Sequence, residues 1–434
     1  MKIRTRRLSY EEVMALPRPK RRKPIRPNIL LRTIIRIAAL WDLLPARFSC
    51  TKHRMELLGN EPCLVLMNHS SFIDLEIAHS VLYPRPINTV CTSDGFVGFG
   101  MALLMRLIGC IPTQKFVTDV ALIGDMRYTL HELGSSVLMY PEASYSFDGC
   151  ATPLPRKLGV LLKKLDVPVV TIITEGAFSR DPLYNCLQKR KVKVSAKVSC
   201  LLTREELKEK TVAEIDQMLD EAFSFDNFRW QQENKIEIPE TFRADGLHRI
   251  LYKCAHCGAE GQMEGKGTEL TCHHCGKTYE LTTLGYLKAL EGETEFSHIP
   301  DWYRWQREQV KQEIMDGSYS LEADVKIGML VDYKAIYMVG EGHLSHGIHG
   351  FTLTGCDGKL DYRQNPTACY GLYSDYFWYE IGDMISIGNT DRLYYCFPRD
   401  NTPVAKTRLA TEELYKLYKS RVLTMPKKAE KSEE

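Results

Sequence analysis

The first half of the chain is punctuated by short, continuous apolar runs at residues 63–67, 87–91, 137–140 and 167–173. Runs of that length and composition predict strands buried on both faces. Residues 191–200 alternate polar and apolar, which predicts a strand with one wet face. Helical spacing falls between these runs, at residues 74–82, 100–108 and 120–133. Strand and helix in alternation predict an α/β domain over residues 28–225. Its end is marked by a capping-box sequence, Thr211 to Glu214, ahead of Ile215, Met218, Leu219 and Phe223 at helical spacing.

The pattern then changes. Residues 226–250 form a polar connection, and residues 251–286 hold a cysteine array. A helix is expected over 301–314, with Trp302 and Trp305 on a similar face. From about 320 to 405 the runs are short, aromatic and separated by Gly, Asp or Asn, which predicts a small antiparallel β module within residues 296–424. Thr411 is expected to cap a last helix containing Leu414, Leu417 and Tyr418. The element order suggests a barrel closed by a helix, similar to a PH-like module. Residues 425–434 read as a disordered tail.

A chain of 434 residues predicts two or three domains at ~150 residues each. The net charge of +2 hides an uneven distribution. Residues 1–27 carry ten Lys or Arg against two acids and read as a basic, disordered arm. Such a block attracts phosphate, on nucleic acid or on anionic lipid, or is simply solvated. No run reaches the ~18 uninterrupted apolar residues of a spanning helix. Residues 29–44 come nearest, broken by Arg32, Arg36 and Asp42. Arg32 and Arg36 share one face, and Trp41 lies among the aliphatic residues. An amphipathic helix after a basic arm fits a membrane interface; packing on the protein's own core is the alternative. No secretory signal opens the sequence, and ten of the fourteen cysteines are scattered. That usage fits a reducing compartment.

The four remaining cysteines are paired. Cys254 and Cys257, then Cys272 and Cys275, form two C-x2-C units, each followed by glycine. Two facing knuckles of this kind make a four-thiolate structural zinc site and resemble a zinc ribbon. Such a closed shell holds a fold together and has no open position for catalysis.

The chemistry concentrates in Asn68-His69-Ser70-Ser71-Phe72-Ile73-Asp74, directly after an apolar strand. A general-base histidine needs a partner that fixes its tautomer and stabilises its imidazolium, and a carboxylate does both. On a straight helix, residues five apart would point roughly 140° apart. The pair therefore requires a turn at a strand end, where α/β active sites commonly sit.

Three further blocks follow in order, and together they resemble the lysophosphatidate (1-acylglycerol-3-phosphate) acyltransferase family over residues 30–225. The family's N-H-x4-D block is matched by Asn68, His69 and Asp74. Its G-x-I-F-I-D-R block aligns with Gly109 to Lys115, its F-P-E-G-T-R-S block with Tyr140 to Ser146, and its V-P-V-x-P block with Val167 to Thr171. Lys115 and Tyr145 stand where the family has arginine, and Thr171 where it has proline. The resemblance implies an acyl transfer in which His69 takes a proton from an acceptor hydroxyl and Asp74 orients His69. Acceptor contacts would fall to Asn68, Lys115, Glu142, Ser144 and Tyr145. Glu142 has a structural alternative, as a carboxylate that holds a loop. Residues 96–104 could line an acyl groove or simply belong to the core.

The sequence thus predicts an α/β acyltransferase domain, a small zinc ribbon and a C-terminal antiparallel β module with a terminal helix. The expected reaction moves a fatty acyl group from an acyl thioester, on coenzyme A or acyl-carrier protein, to a lysophospholipid hydroxyl. The expected acceptor is 1-acylglycerol-3-phosphate foremost, and the expected location is peripheral, on the cytoplasmic face of a membrane. A different lysolipid acceptor is one alternative. A nucleic-acid-binding zinc-ribbon protein is another, disfavoured because Lys253, Lys266 and Lys277 in the ribbon face Glu260, Glu264, Glu269 and Glu280.

Overall fold

The computed structural model describes residues 3–424 except 118, 157 and 401, so the expected tail lies outside the described residues. The basic N-terminal segment is not a disordered arm. Strand β1 (Thr5–Arg7) lies parallel to a C-terminal strand, with Thr5 opposite Ile336. A short helix, Tyr10–Met14, follows, with a complete capping box between Ser9 and Glu12. Tyr10 and Val13 are buried in the C-terminal core. Two apolar anchors and a partner strand more than three hundred residues away leave no local periodicity to read.

The α/β domain is a seven-stranded sheet. Its strands are β2 (Ser49–His53), β3 (Leu64–Met67), β4 (Ile87–Thr92), β5 (Cys110–Thr113), β6 (Ser136–Met139), β7 (Val169–Glu175) and β8 (Ser195–Leu202). The order is β2-β8-β7-β3-β6-β4-β5, parallel throughout except for the β7–β8 pair. Strand β3 is central and fully buried. Its side chains alternate between two cores, as the pleat requires. Val65 and Met67 join Ala39, Leu43, Ile73 and Ile77 from the helices Ile29–Leu43 and Ile73–Val81. Leu64 and Leu66 join Leu158, Leu162, Ile215 and Leu219 on the opposite face. The helix expected over 120–133 is α-helical to Arg127 and then widens into a π turn, Tyr128–Glu132. The 96–104 segment divides: Phe96 and Val97 are buried, whereas Phe99, Leu103 and Leu104 are exposed.

The ribbon is a four-stranded antiparallel sheet of β9 (Met263–Lys266), β10 (Glu269–Cys272), β11 (Thr278–Leu281) and β12 (Leu287–Ala289). The helix Ile299–Met315 packs on it through buried Trp302, whose Nε1 donates to the Lys253 carbonyl at 3.0 Å.

Seven consecutive strands follow: β13 (Leu321–Met329), β14 (Ile336–Gly347), β15 (Gly350–Gly355), β16 (Leu360–Gln364), β17 (Tyr373–Trp378), β18 (Gly382–Gly388) and β19 (Leu393–Pro398). Their order is β16-β15-β14-β13-β19-β18-β17, with β1 added on β14. Among the described residues the path of paired strands is open, ending at β16 and β17. The final helix, Val404–Lys419, packs against β17, β18 and the Ile299–Met315 helix. That helix starts seven residues before Thr411. Thr411 is not a cap: its hydroxyl bonds the Thr407 carbonyl at 2.8 Å, the alternative use of a mid-helix Thr.

Every residue from Val404 to Leu414 is buried, charged ones included. Lys406 pairs with Glu260 of the ribbon (2.7 Å) and Glu313 (2.8 Å), and Arg307 pairs with Glu412 (2.7 Å) and Glu413 (2.9 Å). Charges removed from water need such partners. The last helix is therefore a shared wedge that ties the ribbon, the β module and the α/β domain together.

Candidate active site

Strand β3 ends at Met67, and the next residue closes the sheet end. Asn68 is fully buried; its Oδ1 accepts from the Thr174 amide at 2.8 Å, and its Nδ2 donates to the Thr174 carbonyl at 3.3 Å. It thus clamps β3 to β7. This corrects its expected role in acceptor binding, because its amide is spent on backbone.

The chain then turns before the Ile73–Val81 helix, and the turn brings the expected pair together. His69 Nδ1 lies 3.2 Å from Asp74 Oδ2. The same oxygen accepts from the amides of Ser70 (2.7 Å) and Ser71 (2.9 Å). Asp74 is fully buried, while the His69 side chain keeps 14% exposure. The imidazole is sandwiched between Tyr140 (centroids 3.9 Å apart) and Tyr145 (3.8 Å), both stacked. Its plane is therefore fixed, Nδ1 faces the carboxylate, and Nε2 is left as the nitrogen able to take a proton. Phe72, well exposed, sits against Tyr145 at the rim.

Burial sets the electrostatics. It holds the His69 pKa well below the usual range, with the Lys115 cation adding to the effect, so the ring is neutral at pH 7. Burial pushes Asp74 up to about 7, against the opposing pull of the Ser71 and Ser70 amides and the Thr174 hydroxyl.

Two other expected contacts turn inward. Glu142 Oε2 accepts from the His69 amide at 3.1 Å, and Oε1 accepts from the Thr152 amide and hydroxyl at 2.8 and 2.9 Å. It is a buried strut that holds the His69 backbone to the 140–152 loop, and burial raises its pKa to about 7. Ser144 is buried with its hydroxyl on the Tyr145 carbonyl at 3.4 Å. Neither is placed to grip an acceptor. Ala143 between them has φ +58°, where a Cβ is strained and glycine is favoured.

Lys115 and Tyr145 do reach the site. Lys115 Nζ lies 5.5 Å from the Tyr145 ring centroid and 4.4 Å from that of Tyr373 on β17. Burial lowers the Lys115 pKa, while Asp375 and Asp94 oppose the shift. Asp375 itself is raised to about 7 by burial. Tyr373 donates to Asp94 Oδ2 at 2.9 Å. From the terminal helix, Arg408 donates to the Tyr145 carbonyl at 3.1 Å and stacks over Phe147 at 4.2 Å. Asp375, Tyr373 and Arg408 come from a segment more than two hundred residues downstream, and nothing local in the sequence marks them. Tyr140 lies inside a recognised block, yet its stacking on His69 is a tertiary fact.

The cysteine cluster is equally compact. The sulfurs of Cys254 and Cys275 lie 3.9 Å apart and those of Cys257 and Cys272 3.8 Å apart, and all four fall within 4.8 Å of one another. A tetrahedron with Zn–S of about 2.3 Å needs edges of this size. Gly258 (φ +76°) and Gly276 (φ +78°) make the two knuckle turns, donating to the carbonyls of Cys254 and Cys272. His256 and His273 lie outside the set, engaged with Glu295 and Glu264.

The parallel-rich α/β sheet thus carries a carboxylate-backed histidine at the end of its central strand, an arrangement able to take a proton from a hydroxyl or water. Residues 49–175 match the acyltransferase family model, and the chain carries an acyltransferase domain. Among solved structures, the crystal structure of the 1-acyl-sn-glycerophosphate (LPA) acyltransferase from Thermotoga maritima aligns with 15% identity over 48% of this chain and 78% of that one, at a TM-score of 0.36. Comparison with curated proteins finds no match.

Proposed function

We propose that the protein transfers a fatty acyl group from an acyl thioester, on coenzyme A or acyl-carrier protein, to a hydroxyl of a lysophospholipid at a membrane surface. The acceptor we propose first is 1-acylglycerol-3-phosphate. The observation that carries the reading is the His69–Asp74 pair, with Nε2 unengaged, within an acyltransferase domain.

The chemistry balances without a covalent enzyme intermediate. His69 Nε2 takes the acceptor hydroxyl proton as that oxygen forms a bond to the thioester carbonyl carbon. The C–S bond breaks, and the thiolate leaves with the proton returned by the imidazolium. Asp74 stabilises that imidazolium and keeps the proton on Nδ1 in the resting ring. Lys115 is the cation for the acceptor phosphate, and Tyr145 offers a hydroxyl where the family pattern has an arginine. Bound zinc would be held by Cys254, Cys257, Cys272 and Cys275 and would supply stability alone.

Membrane contact is supported by exposed Leu30, Ile34, Ile37 and Trp41 on the Ile29–Leu43 helix, and by Phe99 beyond it. No described helix is long and apolar enough to cross a membrane. A peripheral position on the cytoplasmic face accords with fourteen unpaired cysteines. The C-terminal strands and helix we read as a PH-like module that buttresses the site.

The test is transfer of a labelled acyl chain from acyl coenzyme A or acyl-carrier protein to a panel of lysolipids. Wild-type protein should acylate, and His69→Ala should lose at least ~10³-fold, the upper part of the range for a missing general base. Transfer surviving in pure His69→Ala protein would overturn the mechanism.

A further inference from the structure

A cavity of about 330 Å³ lies between the Ile29–Leu43 helix, the end of the Ile73–Val81 helix and edge strand β2. Its floor is apolar, from Leu40, Leu43 and Val81, and its rim is cationic, from Arg36 and Lys52. The Arg36 guanidinium stacks over Tyr83 at 4.5 Å. Among the described residues, neither the Arg36 nor the Lys52 side chain has a hydrogen bond or an ion pair. Ser80 Oγ, on the same wall, is buried without a partner. Buried hydroxyls are normally satisfied, so an unsatisfied one beside two free cations marks a place for an acceptor from outside the protein. The one acid of the Ile29–Leu43 helix, Asp42, is paired with Arg180 and Lys189. The residues that line the cavity thus include two cations and no acid. Beside the cavity run the exposed side chains Ile37 (59%) and Trp41 (85%).

A cationic rim, a lone hydroxyl donor and an apolar floor that continues onto an exposed apolar face match one ligand chemistry: a phosphodiester head group with acyl chains attached. We propose that this cavity seats an anionic phospholipid of the bilayer, separate from the catalytic pair, and that it locks the Ile29–Leu43 helix onto anionic membrane. The inference rests on the membrane-surface part of the proposed function.

Full-length protein is mixed with phosphatidylcholine vesicles, with and without phosphatidylglycerol, and bound protein is measured by flotation. Quenching of Trp41 by brominated acyl chains reports helix insertion. Wild type should bind the phosphatidylglycerol vesicles more tightly. Each cation removed should weaken that binding roughly fivefold, so Arg36→Gln/Lys52→Gln should lose about 25-fold, with binding to neutral vesicles and the thermal midpoint unchanged. Retention of the full anionic preference by the double variant would overturn the proposal and pass the role to the basic N-terminal segment. Displacement of wild type by soluble glycerol 3-phosphate would also overturn it, since the site would then read free phosphate. Acyl transfer in neutral detergent micelles separates the two readings. Activity there without any anionic preference on vesicles sinks this inference alone, and anionic binding without transfer sinks only the enzymatic one.

Discussion

Replacing Asp74 by Asn removes one charge and little else. The Asn carbonyl can take the place of Oδ2, accept from the Ser70 and Ser71 amides, and still receive the His69 Nδ1 proton. The resting tautomer survives, and the loss is the attraction between the carboxylate and the imidazolium formed in the transition state. With Nδ1 and Oδ2 3.2 Å apart, the two charges are centred about 4 Å apart, worth about 4 kcal/mol at an effective dielectric of 20. At 1.36 kcal/mol per tenfold, kcat should fall about a thousandfold. Asp74 is fully buried and touches no acceptor, so KM for donor and acceptor should stay within about twofold. The assay is thiol release from acyl coenzyme A, followed from pH 5.5 to 9. Because Asp74 is raised to about 7, it is ionised above that pH and protonated below it. Wild-type kcat should therefore fall as pH drops through about 7, and Asp74→Asn should lack that limb. Stability runs the other way. The folded carboxyl holds its proton more tightly than the unfolded one, so its charge costs stability increasingly as pH rises from about 4 to 7 and the full cost remains above. Above pH 7 the Asn variant should melt no lower than wild type. A rate loss under tenfold, with the acidic limb retained, would refute the account.

Lys115→Met should raise KM about 10- to 100-fold for a phosphate-bearing acceptor, the value of one charge-assisted contact, and leave KM for the acyl donor unchanged; steady-state kinetics with both substrates varied checks this. Cys257→Ser should take zinc content from stoichiometric to near zero after chelator treatment and lower unfolding free energy by several kcal/mol; elemental analysis and denaturant melts give both readings. Arg408 pairs with Glu412 at 3.2 Å, so Arg408→Ala should cost about 3 kcal/mol, the low end for a broken buried pair because Arg307 still holds Glu412, and should lower kcat by freeing the Tyr145 loop. A denaturation shift below 1 kcal/mol with unchanged kcat would remove Arg408 from the support of the site.

Whatever depends on neighbours along the chain could be read from the residues alone. The apolar runs marked β3, β4, β6 and β7 because a strand buried on both faces must be continuously apolar. His69 and Asp74 were legible because their partnership is made within one turn, and the four cysteines because two knuckles have a fixed spacing. What distant segments supply emerges only when the chain is folded. Asn68, Glu142 and Ser144 look like ligand-facing polar residues, yet they turn inward, because the amides of Thr174, His69 and Thr152 and the Tyr145 carbonyl also need partners once buried. The basic segment looks disordered until β14 offers an edge for β1. Lys115 meets Tyr373 of β17, and Tyr145 meets Arg408 of the last helix, only where the C-terminal elements pack against the first domain. Sequence spacing carries no record of such contacts, because their free energy comes from excluding water between surfaces that are remote along the chain.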